Sequence, residues 1–231
     1  MSSTRAAAAA LVFVLAGAMP AAAQDDHFPQ GRIIGSVEIP ALHAAINRGL
    51  PEPAHSKPVT LYVEPTAGSR AAAVLRTRQE VVSIEHGYEQ LSAGVVEIRS
   101  QGGRSWYRVQ FQIGNWHGTG WLAPRDAGRY RPLSRMLLEG LVFLSEAWDG
   151  SLYDAPRSGA KRRDVGRVRE RPDVRVIATS GSGQHLWLRV ELIDHSFCED
   201  PHTPPSVIAA GWIPVHSRDG RVTAWHYSRG C

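Results

Sequence analysis

Leu61-Tyr62-Val63-Glu64-Pro65-Thr66-Ala67-Gly68 returns 91 residues later as Leu152-Tyr153-Asp154-Ala155-Pro156-Arg157-Ser158-Gly159. Two more stretches repeat in the same order. Trp106-Tyr107-Arg108-Val109 recurs as Trp187-Leu188-Arg189-Val190, and Gly120-Trp121-Leu122 as Gly211-Trp212-Ile213. The outer motifs share an offset of 91 and the middle one an offset of 81, so one loop shortened while another lengthened. Three ordered matches, each centred on an aromatic residue, are the mark of an internal repeat. Two copies of one unit are therefore expected.

The local chemistry of each copy is that of strands and turns. Leu-Tyr-x-x-Pro-x-x-Gly reads as a short strand entering a turn, with Pro and Gly as punctuation. Val81, Val82 and Ile84 form a β-branched run, and Val174, Val176 and Ile177 form its counterpart. Val95 to Ile98 runs toward Gly102-Gly103, a turn before Trp106. Each copy is preceded by a largely apolar run, Ile33 to Leu42 or Leu137 to Leu144, read as an extra leading strand. Helical periodicity is confined to Ala41 to Ile46. The expectation is an all-β fold of two small barrels in tandem, spanning 28–134 and 135–231.

The strand period of two assigns faces. Over Trp106 to Ile113, Tyr107, Val109, Phe111 and Ile113 share one face, whereas Trp106, Arg108, Gln110 and Gln112 share the other. In the second copy Leu188, Val190 and Leu192 oppose Trp187, Arg189 and Glu191. Both tryptophans therefore fall on the polar side of their strands. The expectation is that both rings are open to a ligand; burial under a loop is the alternative.

This order of motifs resembles the bacterial SH3 domain family, over about Pro58 to Pro124 and Gly150 to Val215. Leu152-Tyr153-Asp154 is similar to the Ala-Leu-Tyr-Asp-Tyr segment of eukaryotic SH3 domains. The resemblance implies one small five-stranded barrel per repeat and a non-catalytic module that binds cell-wall peptides or protein segments. It places Tyr62, Trp106, Tyr153 and Trp187 at positions that line the SH3 ligand groove, with Trp121 and Trp212 in packing roles. The second aromatic of the eukaryotic segment is missing here, with Pro156 near its place. A basic loop after Tyr153, including Arg162 and Arg163, would flank Trp187 and could receive a carboxylate-bearing peptide.

The N-terminus carries the features of a secretory signal over 1–23. Arg5 supplies the positive end, Ala6 to Ala16 the apolar stretch and Ala21-Ala22-Ala23 the small-residue cleavage pattern. A periplasmic or secreted location is expected, with no stable membrane insertion after cleavage. In such a compartment two cysteines, Cys198 and Cys231, favour a disulfide. The formal charge of +4 is mild. Nucleic acid is not an expected partner of an exported chain, and the basic excess suits an anionic envelope polymer only weakly.

Motifs for catalysis are weak. Gly118-Thr119-Gly120-Trp121-Leu122-Ala123 fits the dinucleotide pattern formally, but a strand and not a helix should follow it. His195, Cys198 and His202 have metal-like spacing, which a disulfide at Cys198 would spoil. No zinc-protease or hydrolase-elbow motif occurs. The expectation is a binding module without cofactor or metal. Two alternatives stand beside it: an envelope assembly protein using its tryptophans for interdomain packing, and an envelope enzyme or metal protein built on the Cys198 loop.

Overall fold

The computed structural model describes residues 31–43, 57–87, 90–166, 172–196 and 202–227. The apolar-polar alternation seen in the sequence becomes two antiparallel sheets. The first contains β1 (Gly35–Val37), β2 (Val59–Tyr62), β3 (Ala71–Leu75), β4 (Ser83–Gly87), β5 (Gln90–Gln101), β6 (Arg104–Ile113), β7 (Trp116–Leu122) and β8 (Tyr130–Pro132). Its order is β3-β2-β7-β6-β5-β1-β8, with β4 paired to β5 beside that path. The second contains β9 (Val142–Leu144), β10 (Ser151–Tyr153), β11 (Arg162–Asp164), β12 (Asp173–Ser180), β13 (Trp187–Ile193), β14 (Val207–Pro214) and β15 (Ala224–His226). Its order is β11-β10-β14-β13-β12-β9-β15.

Position for position the two paths are the same, and among the described residues β4 is the one strand without a counterpart. The identity reaches single residues. Arg108 faces Trp121 across β6 and β7, as Arg189 faces Trp212 across β13 and β14. Tyr62 pairs with Trp121 and Tyr153 with Trp212. Even the register shift recurs, between Val95 and Glu97 in β5 and between Val176 and Ala178 in β12. The expected leading strands are β1 and β9. Each takes a further partner on its outer side, β8 or β15. That end of each sheet is extended, and no pairing among the described residues closes either sheet into a barrel.

The repeated glycines are packing devices. A Cβ on Gly120 would lie 2.7 Å from the Leu61 Cβ, and one on Gly211 would lie 2.8 Å from the Leu152 Cβ. The Leu-Tyr and Gly-Trp motifs therefore recur together because one supplies the leucine and the other the space for it. Both glycines are strand residues, which disposes of the dinucleotide pattern at 118–123. Around these contacts lie two cores. Val37, Leu61, Val95, Val109, Phe111 and Leu122 belong to the first. Leu144, Leu152, Val174, Leu188, Val190 and Ile213 belong to the second. Each such side chain contributes about 1.5–3 kcal/mol by leaving water.

Two short α-helices accompany the sheets among the described residues. α1 (Pro40–His43) falls at the start of the expected helical stretch. α2 (Leu133–Glu139) corrects the reading of Leu137 to Leu144 as a single strand. Leu133, Met136 and Leu137 are its buried residues, at the i, i+3, i+4 spacing of a helix face, and that pattern starts ahead of the apolar run. Only Val142 to Leu144 is strand.

A seam joins the units. Ile33, Ile84 and Met136 form a small buried cluster against which Val96 and Trp225 pack. His216 Nε2 meets the Ile33 carbonyl at 2.8 Å, and Arg32 donates to Gln184 Oε1 at 2.9 Å. Trp106 and Trp187 take no part in this seam; Trp225 does.

Candidate functional site

Each sheet carries an aromatic group on the side away from its main core, built from equivalent positions. In the first unit Tyr62, Trp106, Trp121 and Ala123 form a cluster separate from the valine-leucine core. Tyr62 and Trp106 meet edge to face at 5.8 Å. In the second unit Tyr153 and Trp187 make the same contact at 5.4 Å. Trp212 lies beside them, opposite Tyr153 on the neighbouring strand. The face assignment from strand alternation therefore places the rings correctly in both copies.

Exposure is where the copies part. In the first unit the rings are shut: Tyr62, Trp106 and Trp121 are 8%, 6% and 3% exposed. The expectation that Trp106 is open to solvent is corrected. Trp106 is buried in a cluster with Tyr62, Trp121 and Ala123, and two arginines reach over that cluster. Arg99, its cross-strand partner, holds its guanidinium 5.2 Å above the Trp121 ring. Arg125 donates to the Tyr62 hydroxyl at 2.7 Å. Glu97 fixes Arg99 at 2.9 Å. Long arginine stems cover apolar surface while their heads stay wet, so a polar strand face can bury an indole.

In the second unit Tyr153, Trp187 and Trp212 are all half-buried. The register explains this. Ser180 stands opposite Trp187 where Arg99 stands opposite Trp106. Ala178 stands opposite Arg189 where Glu97 stands opposite Arg108. Four residues beyond the tryptophan of the Gly-Trp motif, Arg125 is replaced by His216. That histidine is turned into the seam, where burial holds its pKa below the usual imidazole value. All three covering residues are thus gone, and the rings keep open faces.

The basic residues beside them are partly committed. Arg162 is paired with Tyr153 across β10 and β11, and its guanidinium lies 3.6 Å from Asp149. Arg163 donates to the Ala210 carbonyl at 3.1 Å. Arg189, on the same face as Trp187, is not among the expected ligand-binding residues. Nor is Trp212, to which the SH3 resemblance gives a packing role. The Trp-x-Arg spacing was the available clue to Arg189; the half-exposure of Trp212 depends on the missing lid and has no sequence motif.

The remaining expectations fall as follows. Cys198, Cys231 and the segment 1–23 lie outside the described residues. His195 makes a 3.0 Å contact with the Thr203 carbonyl and a 2.7 Å contact with Asp194. Among the described residues no group of three His, Cys, Asp or Glu side chains is disposed to hold a metal. No described helix is long and apolar enough to cross a membrane. Two concavities among the described residues are lined by none of the six aromatic-site rings. One of about 140 Å³ is at the seam, beside His86, Arg135, Met136 and His226. The other, about 330 Å³, is a wide shallow groove between Arg104, Tyr107, Pro124 and Arg125. In the second unit the three rings stand on the adjoining strands β10, β13 and β14, an arrangement that suits an extended ligand.

The fold and site together define a tandem all-β protein with one closed and one open aromatic face. No family model, curated protein or solved structure matches the chain.

Proposed function

We propose that this chain is an exported, non-catalytic binding protein whose second unit holds an extended peptide against Tyr153, Trp187 and Trp212. The envelope is the expected setting, and a stem peptide of the cell wall the expected ligand. The observation that carries the reading is the loss of the whole arginine lid over rings that the first unit keeps covered. Flat aromatic faces with two torsions each bind peptide at low ordering cost. The resemblance of the repeated motifs to bacterial SH3 domains supports the same reading, as does the secretory pattern of 1–23. The first unit, with its rings sealed, serves as a scaffold. The assembly reading loses its motive, because the seam is built by Ile33, Met136 and Trp225 and not by the repeated tryptophans.

The test is retention on purified cell wall. Wild type should be retained, and Trp187→Ala should lose about tenfold or more in affinity, the cost of removing an aromatic anchor. Arg99→Ala, on the closed face, should bind as wild type. Equal retention of Trp187→Ala, or no retention of wild type, refutes the proposal.

A further inference from the structure

The arginine that follows the repeated tryptophan is present in both units, but its surroundings differ. In the first unit Arg108 donates from Nε to Thr119 Oγ1 at 3.0 Å, and a terminal nitrogen lies 3.4 Å from Glu97. In the second unit Ala210 takes the place of Thr119, and Ala178 the place of Glu97. Neither alanine side chain can accept a hydrogen bond. The next carboxylate on the same strand, Glu191, is held by Arg175 at 3.0 Å. Asp149 is engaged by Arg162. Arg189 is exposed, and its side chain makes no hydrogen bond or ion pair among the described residues.

Its neighbours are the open rings. Trp212 is directly opposite on β14, and Trp187 is two residues earlier on the same face of β13. We infer that Arg189 is the anion receptor of the second unit and that the bound peptide presents a carboxylate to it. This rests on the peptide-binding reading and adds its chemical selectivity. A guanidinium offers two parallel N–H donors that match the two oxygens of a carboxylate. The indoles on either side take the apolar part of the ligand and thin the water around the charge pair, which strengthens it. A dianionic phosphate would call for several uncommitted cations. Arg189 is the one cation on the three strands that carry the rings, and a single guanidinium there matches a monoanion. The exchange of Glu97 and Thr119 for two alanines thus releases the cation, beside rings uncovered by the loss of Arg99 and Arg125.

The experiment uses the full chain and soluble stem peptides released from cell wall, with carboxylates free or converted to carboxamides, titrated by calorimetry. Wild type should bind the carboxylate form about tenfold or more tightly, the scale of one charge-assisted contact. Arg189→Gln keeps the stem and removes the charge, so it should bind both forms alike. Ala178→Glu restores the neutralising carboxylate of the first unit and should also abolish the preference. Equal binding of both forms by wild type, with loss in Trp187→Ala, overturns the role of Arg189 and leaves the aromatic site standing. The same holds if Arg189→Gln keeps the preference. Binding of neither form by wild type overturns the site and this inference together.

Discussion

The two aromatic faces of this protein start from the same plan. Tyr62, Trp106 and Trp121 match Tyr153, Trp187 and Trp212 in strand, register and edge-to-face contact. One set is sealed and the other is half open. The difference lies in four neighbours: Glu97, Arg99, Thr119 and Arg125 in the first unit, Ala178, Ser180, Ala210 and His216 in the second. The rings were kept and their covering was exchanged. An aromatic motif repeated in sequence therefore locates a potential surface, while the residues opposite decide whether it is one.

The largest expected effect separates the faces by stability. Trp106→Ala opens a hole in a closed cluster and should cost about 3–4 kcal/mol. Trp187→Ala removes a ring that is only partly covered and should cost less, about 1–2 kcal/mol. Urea unfolding of the two variants decides; equal costs would erase the distinction between the faces.

The seam gives the next effect. Burial depresses the His226 pKa to about 4, helped by His86 and opposed by Glu85. Burial likewise depresses that of His216, with the charge on Arg32 acting in the same direction and the hydrogen bond to the Ile33 carbonyl against it. Both rings are neutral in the folded chain at pH 7. The unfolded chain takes up those protons near pH 6.5, so this stability is complete above that pH and lost as the pH falls toward 4. For His226 the loss is on the order of 2–3 kcal/mol. Urea midpoints at pH 7.5 and 4.5 should show the drop, and His226→Asn should lack its share.

Gly120→Ala and Gly211→Ala probe what the units share. Each added methyl meets a leucine Cβ, so both should destabilise by about 1–3 kcal/mol, and by similar amounts. A large difference would show that the two sheets pack their leucines differently. The smallest effect sharpens the lid argument. Arg99→Ala removes a half-exposed cation over Trp121 and should cost about 0.5–1 kcal/mol. The converse change, Ser180→Arg, should stay within about 0.5 kcal/mol of wild type. Acrylamide quenching of tryptophan emission should rise in the first variant and fall in the second.

Strand alternation and spacing were enough to read the all-β class, the twofold repeat, the presence but not the length of a strand leading each unit, and the side of the sheet on which each indole stands. These features are local, set by the period of two and by motifs within a few residues. Three things needed the folded chain. The shared register shift is invisible in either strand alone. α2 hid inside an apolar run whose helical spacing began at Leu133. The lids hid because Arg99 and Arg125 lie on other segments than the rings they cover, brought there only by pairing.

By itself, the order of residues determined which side chains alternate toward the core, where the repeat begins again, and that each Gly-Trp motif answers a Leu-Tyr motif. Tertiary structure alone decided which indoles meet water and that Arg189, beside the open rings, has no side-chain partner among the described residues. The physical reason is that facing is a property of one strand, whereas cover and charge balance are properties of its neighbours across the sheet.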